Sequence, residues 1–374
     1  MLINDTLPDE RIAYMIKNSN SKIIISKKEL TQNHNISLFN AKILNFGLDS
    51  QVMELPNIDN AKHLSVIYTS GSTGNPKGVL TKISSMINLM YSYINYIHAN
   101  DYDNFLSTCN ISFDMFSVEI LLPLILGKTL ILASDEEQKD PIAIGHLIIE
   151  NNVQYMLATP SKIELLFLNE TSKKSLEGIK SLQIGGENPS QSFLRELVSL
   201  TNAEIYNAYG PTETTSCCSI KKIIDVDNVT IGKPLGNMQI YILNKSMQLC
   251  PIGVIGEICI AGEGISEGYI NNPDLTNTVF VDNPYGDGLL YKSGDLAYLT
   301  ADYEIKFVGR NDTQLKINGL RIELSEIDSV ISSFGDIQKT VTVYKNKKLI
   351  SYFMANSQID MQKLKTFAKS KLPP

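Results

Sequence analysis

The chain has 374 residues, 43% of them hydrophobic and 20% charged, enough to bury a sizeable core; a length prior of roughly 150 residues per domain suggests about two domains. A net charge of −7 argues against a nucleic-acid binder, whose footprint would be a basic face. Five cysteines and four histidines show no metal-ligand spacing, and the odd cysteine count suits free thiols in a reducing cytoplasm.

Apolar runs alternate with amphipathic stretches, the signature of an α/β architecture. Pro8 to Ser19 carries Ile12, Met15 and Ile16 at helical spacing, and Lys22 to Ser26 reads as a short buried strand. Leu64 to Thr69 is another strand, running into a Gly-rich loop and then a helix from about Ile83. The greasiest run, Ile120 to Ala133, is interrupted by Pro123 and Lys128 and falls short of the ~20 residues a bilayer span needs, so it reads as a buried helix and strand. Val153 to Ala158, Ser181 to Ile184 and Glu204 to Tyr206 are further short strands between helices. After about Ile220, glycines and prolines multiply and the apolar runs shorten, which predicts a β-rich subdomain. From Asp312 the pattern returns to helix and strand, with a helix over Leu324 to Phe334 and strands over Thr340 to Tyr344 and Leu349 to Met354. The opening residues lack the basic-then-apolar order of a secretory signal, so the expectation is a soluble, cytoplasmic protein with no membrane partner.

The segment from Tyr68 to Gly78 concentrates hydroxyls, glycines and a lysine: Thr69, Ser70, Gly71, Ser72, Thr73, Gly74 and Lys77. Glycines let backbone N–H groups approach an anion closely, hydroxyls add donors, and Lys77 adds charge. It is not a Walker A loop, because Pro76 stands where that motif needs glycine. Taken alone, such a loop is also a common surface turn. A second cluster, Asn207-Ala208-Tyr209-Gly210-Pro211-Thr212-Glu213-Thr214-Thr215, places a carboxylate among hydroxyls in a Gly-Pro turn, a donor set suited to Mg²⁺ and its phosphate oxygens. Two more follow, Tyr291-Lys292-Ser293-Gly294-Asp295-Leu296 and the stretch from Phe307 to Gly319, which alone read as a turn and a solvated charged loop.

With these ordered motifs the chain resembles the adenylate-forming (AMP-binding) superfamily, and within it the amino-acid adenylation domains of non-ribosomal peptide synthetases. The resemblance implies a large N-terminal domain of stacked α/β layers plus a β-rich subdomain over residues 1–311, and a small, incomplete α+β domain over 312–374. It implies ATP and Mg²⁺ as cofactors. The loop Thr69 to Lys77 would handle the β- and γ-phosphates, with Gly186, Glu187, Asn207, Tyr209, Gly210 and Phe307 also at the nucleotide and Tyr209 against adenine. Thr212 would meet the α-phosphate, Glu213 the Mg²⁺, and Asp295 and Arg310 the ribose. Asp312 resembles the hinge between the domains, a lid-like joint. Lys316 belongs to the loop that faces an incoming thiol.

Ser112-Phe113-Asp114 selects the branch. In amino-acid-activating members an aspartate here pairs with the substrate ammonium, because a carboxylate in an apolar pocket is costly unless it meets a cation; a helix N-cap is the plainer role for Asp114. Carried over by motif position, the pocket walls are Met115, Val118, Leu157, Gln183, Gly185, Ala208, Ser216 and Cys217, with no second charge. The expected substrate is therefore a neutral, mostly apolar amino acid, and the expected partner a peptidyl carrier protein with a phosphopantetheine arm. Alternatives are an acyl-CoA synthetase-type ligase for another carboxylic acid, and a non-catalytic remnant. The start resembles an internal segment of family members, which also continue past Leu372-Pro373-Pro374 into a stretch carrying a lysine that bridges carboxylate and phosphates. The expectation is that this chain alone is impaired and belongs with the missing parts of a larger synthetase.

Overall fold

In a computed structural model, residues 1–26, 34–35, 41–45, 61–71, 75–317, 320–335, 337–346 and 348–373 are described. Ser72, Thr73 and Gly74 of the Gly-rich loop and Gly319 lie outside them.

A seven-stranded sheet organises the first part of the chain. Its order runs Lys233–Pro234, Ser219–Lys222, Glu204–Tyr209, Ser181–Gly185, Tyr155–Ala158, Asn104–Ser107 and Thr129–Leu132. From Glu204–Tyr209 onward the neighbours are parallel, and the first two strands close that edge antiparallel. Helices such as Asp114–Ile125, Pro141–Glu150 and Gln191–Leu200 provide the crossovers between parallel strands. Successive side chains on a strand point to opposite faces, and the core divides accordingly. Phe105, Tyr155, Leu157 and Tyr206 join one apolar cluster, whereas Leu106, Met156, Ala158, Leu182, Ile184 and Ile205 join another beneath helix Gln191–Leu200.

The first cluster continues into a second, antiparallel sheet built from Met238–Leu243, Gly256–Gly262, Leu289–Leu299 and Phe280–Asp282, with Ile305–Arg310 paired along Leu289–Leu299. This is the β-rich stretch expected from the dense turn residues. Beyond it come the hairpin Gln314–Ile317/Leu320–Glu323, helix Leu324–Ser332, the hairpin Ile337–Lys345/Lys348–Ala355, and helix Met361–Lys371. They close a small core of Ile331, Ile337 and Leu364. Arg11 pairs with Glu326 and Lys371 with Glu10, so the last segments are tied to the first helix, Asp9–Asn18.

Three sequence readings need correction. Ile23–Ser26 is a strand, paired in parallel with Lys42–Asn45, but Ile23 and Ile25 are exposed, so it is not buried. Ile120 to Ala133 does contain a helix end and a strand, yet Leu124, Ile125 and Leu132 face solvent. The Gly-rich loop does not lead directly into a helix. Lys77–Lys82 forms a strand antiparallel to His63–Thr69, so the loop is the tip of a hairpin and the helix Ile83–Tyr96 begins only afterwards. The strand opens on Lys77 and Gly78, which continue the loop's composition, and its pairing is supplied by the distant Gly268 and Tyr269 as well. Among the described residues no helix is long and apolar enough to cross a membrane.

Candidate active site

Open α/β sheets take ligands beyond the carboxyl ends of their parallel strands, and a cavity of about 1230 Å³ lies there. The residues following four of those strands line it: Thr108 and Cys109, Thr159, Gly186 and Gly210. Thr69 and Ser70 enter from the hairpin tip, Asp295 and Arg310 from the second sheet, and Gln314, Lys316 and Arg321 from the hairpin beyond it.

Asp114 opens helix Asp114–Ile125, one position after the N-cap Phe113. Its Oδ1 accepts a hydrogen bond from the Met115 N–H at 2.8 Å. Burial raises its carboxyl above the ordinary range, with Thr212 and Lys316 only partly opposing that, so it is poised for a cation. Met115, Leu157, Gln183, Gly185, Ala208, Ser216 and Cys217 line the cavity. Val118 does not; it is buried behind the wall among core side chains. Nor is the lining free of further charge. Glu119 and Lys162 both contribute to it, which sequence position did not show because Lys162 lies outside every motif.

The turn after Glu204–Tyr209 is sterically fixed. A Cβ on Gly210 would lie 2.5 Å from the Cys217 Cα and 2.6 Å from the Ser216 carbonyl oxygen, so only glycine fits. Thr215 and Ser216 both adopt left-handed backbone, at φ 59° and 68°, a costly pairing for non-glycine residues that brings Ser216 and Cys217 back to the wall. The same turn sinks Glu213 to zero exposure. Its Oε1 accepts from the Tyr269 hydroxyl at 2.7 Å and faces Lys77 Nζ at 3.5 Å; its Oε2 accepts from Arg321 at 2.8 Å. Burial alone would raise this carboxyl, but the two cations outweigh it and hold it far below the usual range. Lys77 also lies 4.9 Å over the Tyr269 ring.

Thr69 and Ser70 reach the cavity, and the Thr69 hydroxyl is buried without a hydrogen-bond partner among the described residues. A Cβ on Gly71 would collide with the Asn75 carbonyl oxygen at 2.0 Å, so the tip closes only around glycine. Ser70 Oγ donates to the Arg321 carbonyl at 2.9 Å.

Asp295 is buried between two donors: the Tyr209 hydroxyl at 2.5 Å and Arg310 at 2.7 Å. Arg310 also forks onto both oxygens of Asp312, at 2.5 and 2.7 Å, a fixed bidentate geometry. Tyr209 itself is buried beneath the cavity with Phe307 at a ring distance of 6.2 Å. Asn207 donates to the Thr230 carbonyl, and with Phe307 it lines a separate cavity of about 170 Å³. Glu187 accepts from Ser161, through backbone N–H and hydroxyl, rather than lining the main cavity.

Sequence reading missed Arg321, Tyr93 and the Glu119 site. Glu119 Oε2 accepts from Ser107 Oγ and from the N–H groups of Thr108 and Cys109, yet burial pushes its carboxyl up to about 7. Tyr93 and Tyr155 bracket the Gln183 amide: Tyr155 donates to Oε1 at 2.8 Å, and Nε2 donates to Tyr93 at 2.5 Å. Arg321 stands among Glu323, Glu326 and Asp328 in sequence, so nothing local marks it. Among the described residues no cluster of three or more His, Cys, Asp or Glu could hold a metal. Glu213 and its neighbouring hydroxyls still fit the donor class of Mg²⁺, which commonly takes one carboxylate and substrate phosphates.

A profile of the AMP-binding enzyme family matches residues 1–270. The chain belongs to the AMP-binding enzyme family. Within it the chain is of the adenylation-domain type found in non-ribosomal peptide synthetases, which are AMP-forming ligases. It is 36% identical to a PKS-NRPS hybrid synthetase, acdB, of Aspergillus candidus over 94% of this chain and 14% of that protein. It is 34% identical to gramicidin S synthase 2 of Aneurinibacillus migulanus over 99% of this chain and 8% of that protein. The chain thus spans a small part of the curated relatives it matches. A solved four-domain non-ribosomal peptide synthetase, AB3403, bound to AMP and glycine, superposes with a TM-score of 0.75 at 29% identity, covering 96% of this chain and 27% of that one. The Vibrio cholerae adenylation domain AlmE, in complex with a glycyl-adenosine phosphate, shares the fold at a TM-score of 0.87 and 20% identity, covering 100% of this chain and 78% of that one.

Proposed function

We propose that the cavity activates a neutral amino acid as its acyl-adenylate and passes the acyl group to the phosphopantetheine thiol of a peptidyl carrier protein, in the cytoplasm. The observation that carries this reading is Asp114, a half-buried carboxylate with raised proton affinity in a mostly apolar wall, which Thr212 and Lys316 only partly offset and a substrate ammonium would complete. Asp114 takes the α-ammonium, and Met115, Leu157, Gln183, Gly185, Ala208, Ser216 and Cys217 enclose the side chain, with Val118 packed behind them. Asp295 and Arg310 take the ribose, Thr69, Ser70 and Lys77 the phosphates, and Gly186, Asn207, Tyr209 and Phe307 shape the nucleotide's surroundings.

A substrate carboxylate oxygen attacks the α-phosphorus, the bond to the bridging oxygen breaks, and pyrophosphate leaves with the electron pair. Thr212 donates to the α-phosphate as its charge moves, a preorganised donor where charge develops. Glu213 would hold Mg²⁺, which when bound neutralises phosphate charge. In the second step a thiolate attacks the acyl carbon and AMP departs. Lys316, at the cavity wall, is placed to offset the negative charge of that step. Residues 1–311 and 312–374 act as two domains about Asp312, whose grip on Arg310 links that joint to the ribose site.

The test is a binding panel of non-hydrolysable aminoacyl-sulfamoyl adenosines, read by calorimetry, alongside amino-acid-dependent ATP–pyrophosphate exchange. Tight binding of one neutral analogue, lost in Asp114→Ala, supports the reading. Equal binding of fatty-acyl and aminoacyl analogues would refute it.

A further inference from the structure

Lys162 lies in none of the motifs, yet it lines the cavity. It sits in the first turn of the helix Pro160–Leu166, which follows the strand that supplies the wall residue Leu157. Its Nζ donates to the Thr108 carbonyl oxygen, and among the described residues it makes no ion pair. An ammonium drawn out of water is costly unless the charge is used. The peptide it grips is held from the other side as well. The Cys109 N–H of that same peptide donates to Glu119 Oε2 at 3.0 Å, and the Thr108 N–H reaches the same oxygen at 3.1 Å. A cation on the carbonyl and a carboxyl on the N–H polarise the peptide in the same sense, so the two contacts reinforce each other.

Little slack separates this peptide from Asp114. Asn110 Oδ1 accepts from the N–H and the hydroxyl of Ser112, at 3.0 and 2.8 Å. The Phe113 N–H donates to the Asn110 carbonyl at 3.0 Å, and Asp114 then opens its helix. Glu119 lies further along that same helix, so the segment carrying Asp114 is tied at both ends to the Thr108–Cys109 peptide.

We propose that Lys162 is a positioning residue for Asp114: by holding the Thr108–Cys109 peptide it sets where the carboxylate meets the substrate ammonium. This rests on the adenylation reading above. It also joins two parts of substrate recognition, because the helix of Lys162 continues from the strand of Leu157. A lysine that merely satisfied an orphan carbonyl would join the same atoms, but its loss would weaken every ligand of the cavity alike.

The experiment uses the full chain and two probes. One is the neutral aminoacyl-sulfamoyl adenosine that binds best; the other is the same molecule with hydrogen in place of its α-amino group. Affinities are measured by calorimetry in wild type, Lys162→Met and Lys162→Arg. Wild type should prefer the amino probe, and Lys162→Met should lower that preference about fivefold, within the usual range for coupled residues. Binding of the des-amino probe should stay near the wild-type value. Lys162→Arg keeps a charged donor and should retain at least half of the preference. An unchanged preference in Lys162→Met overturns the inference, even where both affinities fall; so does a loss in Lys162→Arg as deep as in Lys162→Met. Should Lys162→Met fail to fold, Lys162→Gln, which keeps a donor without the charge, decides by the same ratio. Equal binding of the two probes by wild type, or binding of neither, would sink the proposed function and this inference with it. A wild-type preference that Lys162→Met leaves intact sinks this inference alone.

Discussion

Two glutamates are fully buried within one active-site region, and their surroundings send them in opposite directions. Glu213 meets Arg321 and Lys77 and stays ionised far into acid. Glu119 is held by one hydroxyl and two backbone N–H groups, with Lys162 acting only from farther off, and its carboxyl rises to about 7. Hydrogen bonds from neutral donors do favour the charged form, but here they do not repay the loss of water; close opposite charges do. The lesson concerns roles. Glu213 is a permanent anion, suited to holding a cation or its stand-in. Glu119 is an uncharged or weakly charged strut near neutral pH, fixing the chain from Ser107 to Cys109 where the strand Asn104–Ser107 opens into the cavity.

The sharpest way to break that contrast is to remove the anion. Glu213→Ala leaves Arg321 and Lys77 facing each other without a counter-charge, and an uncompensated buried charge costs about 3 kcal/mol. A urea midpoint equal to wild type would show that Arg321 simply swings out to solvent. Asp114→Ala removes a charged hydrogen-bond partner, while Lys316, the cation that acts on it, keeps the stronger influence of Asp295, so the effect falls on ligand rather than fold. The neutral aminoacyl-sulfamoyl adenosine should bind weaker by about 2 kcal/mol, roughly thirtyfold. Glu119→Gln tests the other carboxylate by pH. A raised folded value means the native state binds the extra proton, so that contribution to stability is complete below about 4.5 and fades as pH rises through about 7. Glu213, held low, contributes above its unfolded value and loses that only as pH falls into acid. The difference in stability between wild type and Glu119→Gln should therefore shift against wild type by about 3 kcal/mol between pH 4 and pH 8. A flat difference would mean that Glu119 is ionised throughout.

What the sequence revealed follows from what each signal depends on. The alternation of Phe105 with Leu106 and Tyr155 with Met156 is local, so the α/β layering was readable. Asp114, Thr212, Asp295, Arg310 and Lys316 sit in motifs with their own turn chemistry, and the fold brings all of them to one cavity. The strand Lys77–Lys82 was missed because its pairing depends on residues His63–Thr69 and on Gly268, neither visible in its own short run. Exposure of Ile23 and Ile25 likewise depends on what covers the strand rather than on its residues. Arg321 and Lys162 carry no local signature; each becomes meaningful only beside a glutamate supplied by another segment.

The smallest predicted effect concerns the floor of the pocket. Gln183 is buried with both ends of its amide engaged, Oε1 by Tyr155 and Nε2 by Tyr93, and the Tyr93 hydroxyl in turn interacts with the Cys217 thiol. The Cys217 thiol lies against the Ser219 carbonyl, at 3.2 Å. A polar amide is thereby made part of the wall rather than a reader of substrate, which is why a wall containing Gln183 is still compatible with an apolar side chain. Tyr93→Phe removes the acceptor for Nε2 at almost constant volume. The cost in stability should be about 1 kcal/mol, the usual penalty for one unsatisfied buried donor. The specificity consequence is more telling: the freed N–H belongs to a residue that lines the cavity with Met115 and Leu157, so analogues with an acceptor in the side chain should gain relative to aliphatic ones. Measuring the ratio of two such aminoacyl-sulfamoyl adenosines in wild type and Tyr93→Phe cancels any general loss of fold. A ratio that stays fixed would mean that Gln183 finds another acceptor within the wall, and that side-chain selection is set elsewhere in the cavity.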